Sequence, residues 1–147
     1  MKTGLDHFGI LAPFYEKFIK PNLPERLLAL ADLEAAGNVL DMGGGTGRVA
    51  SFLTGKAKQV FIADESMGML REAKKKESLI PMCGKSEGMP LAKESIDRII
   101  MVDALHHVQN QKATADELWR LVKPGGRIVI EEPDIRKFAV KLVALFE

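Results

Sequence analysis

Residues 40–50 read LDMGGGTGRVA: an apolar run that ends in Asp41, then three adjacent glycines and a fourth at position 47. Glycine loses more conformational freedom on folding than any other residue, so fixing four of them in one turn is costly. What offsets the cost is a backbone that turns sharply and lets a ligand approach its N–H groups. One glycine here would read as a tight strand-to-helix turn. Four, directly behind a buried strand and an aspartate, point to a binding loop built from Gly43, Gly44, Gly45 and Gly47.

On either side of the loop, short apolar runs alternate with amphipathic ones. NVLDM (38–42) reads as a buried strand and GRVASFLTG (47–55) as a short helix stopped by Gly55. QVFIAD (59–64) is a second strand, and SMGMLREAKKK (66–76) a helix with Ser66 as its N-cap. LIPMC (79–83) and IDRIIMV (96–102) give a third and fourth strand. ATADELWRLVK (113–123) is an amphipathic helix that PGG terminates, and RIVIEEP (127–133) is a fifth strand. DIRKFAVKLVALFE (134–147) starts another helix. Upstream, FGILAPFYEKFIK (8–20) has helical spacing interrupted by Pro13, and PERLLALADLEAAG (24–37) is a helix that opens on Pro24 and closes on Gly37. Strand–helix alternation predicts an α/β domain with a doubly wound parallel sheet and helices on both faces.

The bulk properties bound the rest. A chain of 147 residues suits one domain, with N-terminal helices over 1–37 and a βα core over 38–147. A net charge of +1 points to neither nucleic acid nor an acidic membrane surface. Cys83 is the only cysteine, which suits a reducing compartment. No apolar run reaches the length of a membrane span, and the N-terminal stretch lacks a secretory pattern, so a cytoplasmic protein is expected. His7, His106 and His107 are the only histidines and show no ligand spacing, so no metal site is expected. The lysines at 74–76 read as a solvated helix end.

Which ligand the loop holds depends on register. Gly45, Gly47 and Ala50 satisfy the dinucleotide pattern G-x-G-x-x-A, but late, after two other glycines. Starting it at Gly43 puts Arg48 where a small residue is needed for helix packing. No G-K-[ST] follows, which excludes a P-loop. Asp41, Gly43, Gly45 and Gly47 match D-x-G-x-G-x-G in full.

That motif resembles motif I of the class I S-adenosylmethionine-dependent methyltransferases. The likeness continues through QVFIADESMGML, CGKSEGMPLAKESIDRIIMVDALHHV and LWRLVKPGGRIVIEEPD, and so covers nearly the whole chain. The branch it is most similar to is the small-molecule group that includes the ubiquinone/menaquinone-biosynthesis enzymes. The resemblance implies a Rossmann-like sheet of strand order 3-2-1-4-5, S-adenosylmethionine as cofactor and a small-molecule methyl acceptor. It also implies that Asp41 faces the cofactor's ammonium, directly or through water, and that the loop from Gly43 to Gly47 underlies its head and ribose. Asp64 would accept hydrogen bonds from the ribose hydroxyls. Glu65 and Met69 would flank ribose and adenine, and Asp103 would lie near the sulfur.

The chain departs from the family pattern twice. An acid usually follows the adenine-loop glycine, whereas Lys85 follows Gly84 here; Ser86 or Glu87 would have to accept the adenine's hydrogen bond. The family's sixth and seventh strands have no counterpart, so the expectation is either a fragment or truncated form, or an exposed fifth strand whose edge a partner chain covers; homodimerisation through that edge or marginal stability follows. On the acceptor side His106 and His107 are the candidates, one of them structural, with the choice open. Phe8 and Tyr15 are further candidates to close over the cofactor. Two rival readings are a nicotinamide-dependent oxidoreductase and a non-catalytic domain that binds the same cofactor.

Overall fold

The structure, a computed structural model, describes residues 25–33 and 37–133. The helices expected over 8–20 and 134–147, and Pro24 at the head of the second helix, lie outside these residues.

Five parallel strands form one sheet: β1 (Asn38–Met42), β2 (Gln59–Asp64), β3 (Leu79–Cys83), β4 (Ile96–Val102) and β5 (Val122–Glu131), in the order β3-β2-β1-β4-β5. This is the predicted order. Alternate residues of each strand face opposite layers. Val39, Ile62 and Ile100 pack with Leu27 and Ala31 of α1 (Glu25–Ala31) and with Leu70 and Ala73 of α2 (Met67–Ala73). Leu40, Met42, Ile99 and Met101 pack on the other face with Leu118 and Leu121 of α3 (Gln111–Leu121). Complete burial of an aliphatic side chain contributes about 1.5–3 kcal/mol, so β1 and β4, apolar toward both layers, anchor the fold.

The helices depart further from expectation than the strands. Residues 47–55 form turns and a single 3-10 segment, Ala50–Phe52, instead of an α-helix. Ser51 Oγ donates to the Gly47 carbonyl at 2.6 Å and Thr54 Oγ1 to that of Ser51 at 2.8 Å, so short polar side chains compete locally for backbone groups. The helix expected to reach Gly37 ends at Ala31, where Asp32 turns left-handed (φ 50°). Helix α3 begins at Gln111, two residues early, because Asn110 caps it by accepting from the Ala113 N–H at 3.0 Å. It ends at Leu121, before the PGG segment. Val122 is already extended and pairs with Ile96, and PGG lies inside β5, where the register to β4 shifts between Ile96 and Arg98.

Candidate active site

Strand order reverses between β1 and β4, so the loops that leave these strands diverge and open a crevice at their carboxyl ends. A cavity of about 760 Å³ fills it, its walls drawn from the ends of β1 (Met42), β2 (Ala63, Asp64) and β4 (Met101, Val102) and from the loops that follow them.

The glycine loop closes over β2. The Gly43 and Gly44 N–H groups donate to the Ala63 carbonyl at 2.7 and 3.2 Å, and the Gly45 N–H donates to Asp64 Oδ2 at 3.0 Å. Two glycines are required for opposite reasons. A Cβ on Gly44 would lie 2.7 Å from the Asp41 carboxyl and 2.8 Å from Ile62 Cγ2, so the backbone can pack there only without a side chain. Gly45 is left-handed (φ +55°), yet a Cβ on it would meet nothing nearer than Asp64 Oδ2 and Met69 Sδ, both at 3.9 Å. The space beside Gly45 is the cavity.

The two strand-ending acids take different positions. Asp64 lies on the cavity wall, with Oδ1 accepting from the Ser66 N–H at 2.8 Å. Asp41 is only 1% exposed, sits beneath the loop, and is not among the cavity-lining residues. Its Oδ2 has no hydrogen-bond partner. Burial pushes its pKa up to about 7; the Ala50 N–H and the Arg48 charge oppose the rise, and the Asp64 charge adds to it.

The far end of the cavity is formed by the turn after β4. Asp103 is left-handed (φ 51°) and its N–H donates to the Glu131 carbonyl at 2.9 Å. Arg48 faces Asp103 at 3.8 Å, and both line the cavity. A short 3-10 segment, Leu105–His107, follows. Among the described residues the cavity wall carries three carboxylates (Asp64, Glu65 and Asp103) against one guanidinium, Arg48. No group of three or more His, Cys, Asp or Glu suited to a metal occurs among the described residues.

The chain matches the methyltransferase-domain family over residues 40–130, a span that holds the glycine loop, Asp64 and the turn after β4. It belongs to that family. The demethylmenaquinone methyltransferase of Streptomyces avermitilis is 32% identical over 102 residues, which cover 69% of this chain and 44% of that protein. The ubiquinone/menaquinone biosynthesis C-methyltransferase UbiE of Syntrophotalea carbinolica is 36% identical over 116 residues, which cover 73% and 47%. Among solved structures, the YcgJ protein of Bacillus subtilis superposes with a TM-score of 0.67 at 25% identity, over 71% of this chain and 47% of that one. The chain thus spans less than half the length of these three proteins.

Within this methyltransferase domain, Gly43, Gly45, Asp64, Glu65, Met69, Ser86, Asp103 and His107 all line the cavity. Asp41, Gly44, Gly47, Glu87 and His106 are not among its lining residues. Asp41 and Gly44 pack against each other below the loop, and a Cβ on Gly47 would run into Leu79 and Ile62 at 2.8 and 2.9 Å. Ser86 is buried and shares a 3.0 Å hydrogen bond with Thr114 Oγ1. Glu87 Oε1 accepts from the Asn110 N–H at 3.1 Å, so this carboxylate serves the start of α3. His106 turns to Glu132. Phe8 and Tyr15 lie outside the described residues. Sequence reading missed Arg48 as a wall residue, together with Met67 and Gln109. It also missed Glu132, although an acid just past the end of a strand is the signal that had marked Asp41 and Asp64.

Proposed function

We propose that the chain is the cofactor-binding unit of an S-adenosylmethionine-dependent methyltransferase that acts on a small molecule. The observation that carries this reading is the charge of the cavity: three carboxylates on the wall and Asp41 directly beneath the loop, against Arg48 alone. A pyrophosphate would meet repulsion here. A ligand that carries an ammonium and a sulfonium, and no phosphate, is favoured. The same observation weighs against a nicotinamide cofactor.

The residues present fit that cofactor. Asp64 would take the ribose hydroxyls, with the Gly45 and Ser66 N–H groups holding its carboxylate in place. The loop from Gly43 to Gly45 would lie under the amino acid head, with the unpartnered Asp41 Oδ2 supplying negative potential behind it. Met69 and Ser86 would border the adenine. When bound, the cofactor supplies a methyl group on a sulfonium. The protein's part is to align the acceptor, exclude water and hold a proton acceptor near it, and His107 on the cavity wall suits that last task. The relatives' names support an acceptor of the demethylated quinone class. The single cysteine suits the cytoplasm, and among the described residues β5 lies at the edge of the sheet with Ile130 43% exposed, which supports a homodimer through that edge.

Calorimetric titration with S-adenosylhomocysteine, with NAD as control, tests the cofactor. Binding of the first alone is expected, and Asp64→Ala should weaken it by about 1.5–3 kcal/mol. Binding of NAD alone, or of neither by a folded chain, would overturn the reading. Methyl transfer from labelled S-adenosylmethionine to a short-chain demethylmenaquinol tests the acceptor class.

A further inference from the structure

Glu132 lies just past the end of β5, and both its carboxylate oxygens serve one turn on the neighbouring β4 connection. Oε1 accepts from the Ala104 and Leu105 N–H groups at 3.1 and 2.8 Å. These open a 3-10 segment that no side chain of its own caps, so Glu132 performs from another strand the work of an N-cap. Oε2 meets His106 Nδ1 at 2.5 Å. A carboxylate only accepts, so Nδ1 carries the proton. The His106 ring in turn packs on that of His107, with centroids 3.9 Å apart and planes tilted by 43°. The His107 N–H donates to the Ala104 carbonyl at 3.1 Å, and Gln111 Nε2 donates to the Leu105 carbonyl at 3.2 Å. The turn is held by these five hydrogen bonds, and only His107 of the two histidines reaches the cavity wall.

We propose that Glu132 is a positioning residue, which through His106 and the Ala104–Leu105 backbone fixes the His107 ring at the acceptor end of the cavity. The acceptor end as such rests on the methyltransferase reading above; the Glu132 contacts do not. The payoff of such a mount is geometric, because misplacing a reacting group by about 1 Å can cost about a hundredfold in rate.

Glu132→Gln separates this role from a purely structural one. The amide oxygen of glutamine still accepts from the two backbone N–H groups, so the turn keeps its clamp. Its NH2 then faces His106 and can only donate, which forces His106 into the tautomer protonated at Nε2. Ring-nitrogen NMR of the full chain at pH 8 should find Nδ1–H at His106 in the wild type and Nε2–H in Glu132→Gln. The His107 ring resonances should shift or broaden with it. In turnover with demethylmenaquinol, kcat should fall by about ten- to a hundredfold, with KM for S-adenosylmethionine within about twofold. His107→Gln should lose at least as much. The proposal is overturned if the His107 resonances stay put in Glu132→Gln, if His106 carries its proton on Nε2 in the wild type, or if His107→Gln keeps the full rate. A wild type that binds S-adenosylhomocysteine but methylates no demethylmenaquinol would overturn the quinone class of acceptor. The NMR comparison would then still decide the role of Glu132.

Discussion

Asp41 and its glycines show how much one residue position can carry. Burial holds the Asp41 pKa at about 7, well above the ordinary 3.8. A raised folded-state pKa means the folded form prefers the protonated acid. Its contribution to stability is therefore complete below pH ~4 and is lost as pH rises toward about 7, at most roughly 4 kcal/mol in all. Asp41→Asn should abolish that slope: wild-type melting temperature is expected to fall between pH 4.5 and 7.5, and that of the variant to stay level. Equal slopes would place the Asp41 pKa elsewhere. The neighbouring glycines should separate folding from binding. Gly44→Ala drives a methyl into the Asp41 carboxyl and Ile62 and should cost about 1–3 kcal/mol of stability. Gly45→Ala meets nothing nearer than 3.9 Å but strains a left-handed position by about 1–2 kcal/mol, so it should stay folded while S-adenosylhomocysteine binding weakens. The four glycines were legible as a binding loop. That one of them makes room for a buried carboxyl and another for a ligand was not, since the distinction lies in which atoms sit beneath each Cα.

At the scale of elements, the strands were readable and the helix ends were not. NVLDM, QVFIAD, LIPMC and IDRIIMV are β1 to β4 residue for residue, because an apolar run between breakers leaves a buried strand little freedom to slide. Helix ends depend on distant partners. Helix α1 stops at Ala31, whose carbonyl accepts from Arg98 Nε at 2.7 Å, and Asp32, whose carbonyl takes the same donor at 3.1 Å, follows in the left-handed region. Arg98 sits on β4, 67 residues away in sequence, and is itself buried. Its guanidinium does the C-capping that local sequence does not provide, with the charge the helix terminus favours. Arg98→Met keeps much of the volume but leaves the Ala31 carbonyl buried without its donor. A loss of about 2–3 kcal/mol is expected in urea unfolding, with the slope of the transition unchanged. A loss below about 0.5 kcal/mol would mean that water replaces the arginine at no cost.

The whole molecule joins these scales through one consequence of topology. Reversal of strand order between β1 and β4 opens the crevice, and acids at or just past the ends of β1, β2 and β4 gather around it. The alternation of strands and helices was enough to foresee the doubly wound sheet, and the family resemblance its strand order. Glu132 carried the same strand-end signal as Asp41 and Asp64, but what it holds was not legible, because its partners lie at the end of β4, 26 to 28 residues upstream. Concentrating carboxylates at one end of a sheet burdens the unliganded protein most when all are ionised, above the Asp41 pKa of about 7. A ligand that sets an ammonium over Asp41 relieves that burden. It must therefore lower the Asp41 pKa on binding and release a proton, and by linkage it binds more tightly as pH rises through that value. At a free concentration of a hundred times Kd a ligand stabilises the folded state by about 2.7 kcal/mol, worth several degrees in a domain of this size. With S-adenosylhomocysteine held at one fixed concentration, the rise in melting temperature should be larger at pH 8 than at pH 6, and Asp41→Asn should remove the difference. A rise that is the same at both pH values in the wild type would uncouple the buried aspartate from the ligand's ammonium. Asp41 would then be a support for the glycine loop alone.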